Sequence, residues 1–184
     1  MTSTEGGSPP RSRARSRANR VRPAGEGEET GRPGDLSGDG KGDLLAREGK
    51  GDLYLYQGDG LGSGFAAEIK VGYGWGTDNT IVGAGDLSGD GLADVAARDT
   101  KGDLYLYQST GKASAPFRAR VRIGTGYGIY KTFAAPGDLT GDGRGELVGV
   151  DGKGDLYRYA STGTGTIAKR VKIGYGWDIY NGLF

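Results

Sequence analysis

Three stretches of this chain set acidic and hydroxyl side chains at the same four places in a nine-residue, glycine-rich segment. They read Asp35-Leu-Ser-Gly-Asp-Gly-Lys-Gly-Asp43, Asp86-Leu-Ser-Gly-Asp-Gly-Leu-Ala-Asp94 and Asp138-Leu-Thr-Gly-Asp-Gly-Arg-Gly-Glu146. The opening Asp recurs in steps of 51 and 52 residues. Positions 1, 3, 5 and 9 carry side-chain oxygen: Asp35, Ser37, Asp39, Asp43; Asp86, Ser88, Asp90, Asp94; Asp138, Thr140, Asp142, Glu146. A hard cation such as Ca²⁺ takes such oxygens, with a backbone carbonyl at position 7 completing the ring. Position 7 is Lys41, Leu92 or Arg144. Three unrelated side chains fit a place where only the carbonyl is used. Asp and Gly are also ordinary turn residues, but three copies with the same oxygen positions favour about three bound Ca²⁺ ions. Glu146 is a methylene longer than Asp and must reposition to reach an ion, so the third site is expected to be the weakest.

The first six positions match an EF-hand loop, yet position 12, where an EF-hand has its bidentate Glu, is Ala46, Ala97 or Gly149. The closing acid stands at position 9 instead. Short apolar pairs follow it (Leu44-Leu45, Val95-Ala96, Leu147-Val148), which read as strand starts and exclude helix–loop–helix. Position 2 is always Leu (Leu36, Leu87, Leu139), expected to face a core, and position 6 is always Gly, which allows a sharp turn at positive φ.

Each copy continues in the same order. A Lys-Gly-Asp turn (Lys50, Lys101, Lys153) leads into Leu53-Tyr-Leu-Tyr56, Leu104-Tyr-Leu-Tyr107 or Leu156-Tyr-Arg-Tyr159. Alternating Leu and Tyr has the period of a strand, with Leu on one face and Tyr on the other. Two apolar faces suit a sheet packed between two neighbours; Arg158 breaks the pattern in the last copy. Asp52, Asp103 and Asp155 read as turn residues bonding their own backbone. A further strand ends in Val71-Gly-Tyr-Gly-Trp75, Ile123-Gly-Thr-Gly-Tyr127 or Ile173-Gly-Tyr-Gly-Trp177, and another (Asn79–Val82, Lys131–Ala134) leads to the next acidic loop. The fold class is all-β: three four-stranded repeats of about 51 residues, the size of one β-propeller blade, with units at 34–84, 85–136 and 137–184.

These loops and strands resemble the FG-GAP or VCBS repeats, integrin-α-like propellers with a calcium loop between the first two strands of a blade. The resemblance covers residues 34–184 and implies an extracellular, calcium-stabilised module. The Gly-x-Gly-Trp/Tyr segments, with Asp178–Phe184, also resemble tachylectin-type propeller lectins, whose family binds amino sugars between blades. Trp75, Tyr127 and Trp177 are therefore candidates either for interblade packing or for stacking on a sugar.

Composition narrows the function. The chain has no His and no Cys, which removes Ser-His-Asp and thiol catalysis and the commonest zinc ligands. The close carboxylate pairs all fall in the proposed metal loops. The expected function is thus a non-catalytic binding module for a protein or surface, with a carbohydrate-binding lectin as the alternative. Residues 1–33 hold seven Arg and four Glu and few large apolar residues, the composition of a disordered tail. The remaining 17 basic and 19 acidic residues argue against nucleic-acid binding by the folded part. The first thirty residues show no signal-peptide core, in tension with a secreted setting, and no stretch reads as a membrane span. Three blades are fewer than the usual four to eight. An incomplete propeller is expected, either a fragment or part of an oligomeric ring. Tyr180–Phe184 would serve as a first strand for another blade, and the polar, Pro-containing run before Asp35 argues against a first strand there.

Overall fold

The computed structural model describes residues 30–66 and 68–183. Most of the arginine-rich segment expected to be a tail lies outside them, as does Phe184. The described chain forms three four-stranded antiparallel meanders of propeller-blade type. The first sheet holds β1 (Thr30–Gly34), β2 (Asp43–Arg47), β3 (Leu53–Tyr56) and β4 (Ile69–Gly72). The second holds β5 (Asp78–Gly85), β6 (Asp94–Asp99), β7 (Leu104–Tyr107) and β8 (Val121–Gly124). The third holds β9 (Tyr130–Gly137), β10 (Glu146–Asp151), β11 (Leu156–Ala160) and β12 (Val171–Gly174). In every sheet the acidic loop joins the first two strands.

Three sequence expectations change. A first strand does precede Asp35: β1 pairs with β2 despite Pro33. Pro is tolerated there because β1 is an edge strand of its sheet and its ladder is irregular between Gly31 and Gly34. The folded region therefore includes Thr30–Pro33, ahead of the boundary expected at 34. The sheets also change over at the one-turn 3₁₀ helices Trp75–Thr77 and Tyr127–Ile129, so residues 78–84 belong to the second sheet and 130–136 to the third. Finally, Tyr180–Leu183 form no strand. Leu183 instead lies with Trp177 against Ala134, Val148, Val150 and Leu156 of the third sheet.

The cores sit between sheets. Leu45, Leu53 and Leu55 of the first sheet meet Val95, Ala97 and Tyr107 of the second. Ala96, Leu104 and Leu106 of the second meet Leu147 and Tyr159 of the third. The Leu–Tyr alternation thus gives each sheet a Leu face toward the next sheet and a Tyr face toward the previous one. No core cluster joins the first and third sheets among the described residues, so the arrangement is open.

The changeover helices are pinned by the Lys-Gly-Asp turns. Trp75, Tyr127 and Trp177 each donate their backbone N–H to the turn glycine's carbonyl, Gly51, Gly102 or Gly154, at 2.8–2.9 Å. A Cβ on Gly51 would lie 2.5 Å from the Gly76 nitrogen, so no side chain is accommodated there.

Candidate metal centre

The opening Asp of each loop is a hub for backbone N–H groups. Asp35 accepts from Gly38 and Gly40, both at 2.7 Å; Asp86 accepts from Gly89 (2.6 Å) and Gly91 (2.8 Å); Asp138 accepts from Gly141 (2.6 Å) and Gly143 (2.7 Å). Glycine is needed at these donors because the chain turns at φ near +80°, as at Gly38 (77°) and Gly40 (81°). Position 5 repeats one more bond: Asp39, Asp90 and Asp142 each accept from the N–H two residues on, at 3.0–3.1 Å. At each opening Asp one oxygen accepts several loop bonds, the N–H of position 5 included, while the other accepts a single glycine N–H and keeps a lone pair for a cation.

Position 9 is buried in all three loops. Asp43 accepts from Leu36 and Ser37 through one oxygen and from Gly58 through the other. Asp94 likewise spans Ser88 and Ser109. Here an Asp ties the loop start to the end of the third strand. Glu146 puts both oxygens on the loop itself, accepting from Leu139 N at 2.5 Å and from Thr140 Oγ1 at 2.9 Å.

Glu146 thus reaches its loop directly, its extra methylene notwithstanding. One carboxylate oxygen from each of Asp138, Asp142 and Glu146 lies within 4.8 Å of the other two. Two oxygens on opposite sides of one Ca²⁺ would be roughly 4.6–5.2 Å apart, so this donor set fits a hard cation. The extra methylene extends the third carboxylate over the loop, where Asp43 and Asp94 are held back by their strand contacts. The neighbours of position 5 differ too. Lys41 Nζ lies 3.5 Å from Asp39 and Arg118 lies 3.6 Å from Asp90. Among the described residues Asp142 has no ion-pair partner, which leaves the third cluster without a neutralising side chain.

Protonation follows the same geometry. At Asp138 the N–H groups of Gly143, Gly141 and Asp142 outweigh desolvation and hold the carboxyl below its usual range. At Asp35 desolvation is the largest influence and raises the pKa, but the loop N–H bonds together overcome it and the net shift is downward. At Asp94 burial wins and pushes the carboxyl up, against the Ser109 and Ser88 N–H bonds.

The position 7 side chains have a use the sequence did not reveal. Lys41, Leu92 and Arg144 lie over Gly60, Gly111 and Gly163, the turns between the third and fourth strands; a Cβ on these glycines would meet them at 2.9, 3.5 and 2.7 Å. Lys41 and Leu92 make the contact with aliphatic carbons and Arg144 with its planar guanidinium, so the place accepts any side chain long enough to lie over the turn. Position 2 splits: Leu36 and Leu87 are 0% and 1% exposed, whereas Leu139 is 50% exposed. The first two enter the core against the following sheet. No sheet follows the third among the described residues.

Of the aromatic candidates, Trp75 is buried against Tyr107, with ring centroids 4.3 Å apart, and Tyr127 against Tyr159, at 5.1 Å. Both are interblade wedges closed to a sugar; Trp177 is half-buried beside Tyr180. The most exposed rings among the described residues are Tyr73 and Tyr175, 86% and 84% exposed. Asp52, Asp103 and Asp155 pair with Lys70, Arg122 and Lys172 on the fourth strands. The turn backbone is held instead by Asp99 and Asp151, which accept from Lys101 and Lys153. Sequence reasoning also missed an arginine clamp. Arg98 donates to the carbonyls of Tyr127 (3.1 Å) and Tyr130 (2.8 Å), and Arg47 to those of Trp75 and Asp78. A cation ending an apolar strand, in two repeats of three, was the available signal.

In overall structure the chain is similar to a lectin from Agrocybe aegerita, solved to explain its specific recognition of non-reducing terminal N-acetylglucosamine. The TM-score is 0.61 at 21% identity, over 84% of this chain and 40% of the lectin, so the likeness is one of fold. The chain thus spans less than half that lectin's length. A comparison with curated proteins finds no match. The sequence of the FG-GAP-like repeat matches residues 35–97 and again 86–149, each match running from one acidic loop into the strand beyond the next. Those matches coincide with the loops and meanders described above, and the chain belongs to the FG-GAP-like repeat family.

Proposed function

We propose that this chain is a non-catalytic, calcium-binding β-propeller repeat module that acts outside the cell by binding a protein or surface partner. The observation that carries the calcium reading is the cluster of Asp138, Asp142 and Glu146 oxygens on a loop already shaped by backbone hydrogen bonds. Comparable loops at Asp35 and Asp86 extend the expectation to about three ions. With no His or Cys, and with the close carboxylates accepting hydrogen bonds from their own loops, the commonest general base and the thiol nucleophile are missing, which favours a non-catalytic role. Sites of extracellular type bind calcium at roughly 10⁻⁴–10⁻³ M, and at ten times Kd each adds about 1.4 kcal/mol to stability. The test is calorimetric titration with CaCl₂, with melting followed with and without chelator. Millimolar uptake that weakens in Asp138→Asn with Glu146→Gln supports the reading; no uptake and no shift in Tm would overturn it.

Glycan binding is the second reading, favoured by the exposed rings of Tyr73 and Tyr175 and by the fold shared with a lectin. Binding to glycans ending in N-acetylglucosamine, lost in Tyr73→Ala with Tyr175→Ala while the fold is retained, is the expected outcome. Full binding by that variant would dismiss these rings as the platform.

A further inference from the structure

The two joints between sheets use one set of parts. The leading sheet inserts the position 2 Leu of its acidic loop and presses the loop's glycine against the next sheet's turn. A Cβ on Gly38 would lie 2.3 Å from the Gly111 carbonyl oxygen, and one on Gly89 would lie 2.3 Å from that of Gly163. The following sheet supplies that turn and a serine: Ser109 Oγ donates to Leu36 O at 3.4 Å and Ser161 Oγ to Leu87 O at 3.0 Å.

The third sheet carries the leading half of such a joint, with the chain's own Leu183 against Val148, Val150 and Leu156 but nothing docked at its acidic loop among the described residues. Leu139 is half exposed, and nothing lies within 4 Å of a Cβ on Gly141. The first sheet carries the following half. Gly60 has φ 71°, beside 65° and 72° at Gly111 and Gly163, and Tyr56 is only half-buried where its counterparts Tyr107 and Tyr159 are buried.

Two substitutions confined to these open faces complement each other. The Leu face of the third sheet has Arg158 where Leu55 and Leu106 stand, and its buried Nε has no hydrogen-bond partner. In the second joint, Leu106 lies 3.4 Å from a Cβ on Gly165, in the turn segment that follows Ser161. The matching segment of the first sheet begins Gly58-Asp59, where the other two have Ser-Thr. An arginine thus appears on one open face and an aspartate on the loop that would cover it.

We propose that the third sheet of one copy docks on the first sheet of a second copy, head to tail, with Leu139 covered and Arg158 paired to the second copy's Asp59. The pairing made at both ends closes a two-chain ring of six sheets, within the range of propellers and with the closed symmetry that head-to-tail contacts need to stop at a dimer. Gly58 forgoes the serine bond of the other joints, and the charge pair takes its place. The inference stands on packing and is independent of the calcium and glycan readings.

The test is sedimentation equilibrium of the full chain, with circular dichroism confirming the fold of each variant. The wild type is expected at twice the 19.1 kDa of one chain. Arg158→Glu and Asp59→Arg alone should each weaken association about tenfold or more, and the two together should restore it. Leu139→Ser should dissociate the dimer as well. A wild-type monomer, a ladder of higher masses, or single charge reversals that associate like wild type would each overturn the proposal. A monomer is also the outcome expected if another sheet of a longer polypeptide occupies these faces.

Discussion

Arg98→Met isolates the clamp between the second and third sheets. Methionine keeps an unbranched apolar stem and removes the donors. Arg98 is buried and bonds the carbonyls of Tyr127 and Tyr130, Thr80 Oγ1 at 2.9 Å and Asn79 Oδ1 at 3.0 Å. Hydrogen bonds to charged groups contribute about 1.5–3 kcal/mol each, and each buried carbonyl left without a donor costs about 1–3 kcal/mol. Freeing a buried guanidinium from its desolvation cost offsets part of this. The net expectation is a loss of about 3 kcal/mol. With a urea m-value of about 2 kcal/mol/M, the midpoint should fall by about 1.5 M. The bonds cross the changeover into the third sheet, so that sheet should loosen first and the transition should broaden or split. Urea melts followed by both tryptophan fluorescence and circular dichroism measure midpoint and cooperativity together. A loss under about 1 kcal/mol with an unchanged, coincident transition would show that packing alone holds the joint. Val150 stands at the clamp position in the third repeat, so the same reasoning expects nothing comparable from Val150→Ala beyond its lost methyl groups.

Leu87→Ala should cost about 2–5 kcal/mol, as a fully buried leucine does, and Leu139→Ala under about 1 kcal/mol when measured at concentrations where the chain is monomeric; equal costs would contradict the assignment of Leu139 to an open face. Gly149→Ala should destabilise by about 1–3 kcal/mol, because its Cβ would lie 2.7 Å from Tyr130 Cγ; a neutral result in chemical denaturation would mean that the ring yields freely. Asp78 is buried, and desolvation holds its carboxyl above the usual range despite Arg120, 3.9 Å away. Its folded pKa exceeds the unfolded one, so its stabilising share is complete below the unfolded pKa and is lost as pH rises through the folded value. The stability of Asp78→Asn relative to wild type should therefore increase from pH 4 to pH 7; a difference that is flat or falls in melts across that range would refute the sign.

The repeat could be read from sequence because its signals are local. Leu–Tyr alternation, Lys-Gly-Asp turns and the spaced oxygens each act within a few residues, and the sheets and loop hubs follow them. What could not be read depends on neighbours in space. β1 is held by backbone pairing to β2, which leaves no apolar pattern to find. Leu139 has nearly the same flanking residues as Leu36 and Leu87, with Thr140 in place of serine, yet burial at position 2 comes from the following sheet. Asp52, Asp103 and Asp155 pair with cations a full strand away, across the variable loop, so a local turn reading fails. The third acidic site was ranked by side-chain length alone. The sequence gives no sign that the Asp of the other copies is drawn toward the Gly58 and Ser109 N–H groups, whereas Glu146 is turned onto its own loop.

The directional face pattern ties these points together. Each sheet offers leucines forward and tyrosines backward, so stacking proceeds in one sense and every joint is the same contact. In such a design the acidic loop has two roles at once. Its position 2 Leu, loop glycine and position 2 carbonyl form part of the joint, while its position 1, 5 and 9 carboxylates bind the loop's own backbone. A cation on those carboxylates would stiffen the segment that carries Leu36 or Leu87 into the next core. Calcium binding and interblade stability should then be coupled most strongly in the first two loops, where the joint is made. In the third, calcium should raise stability less per ion bound, because Leu139 has no joint to reinforce until a second copy covers it.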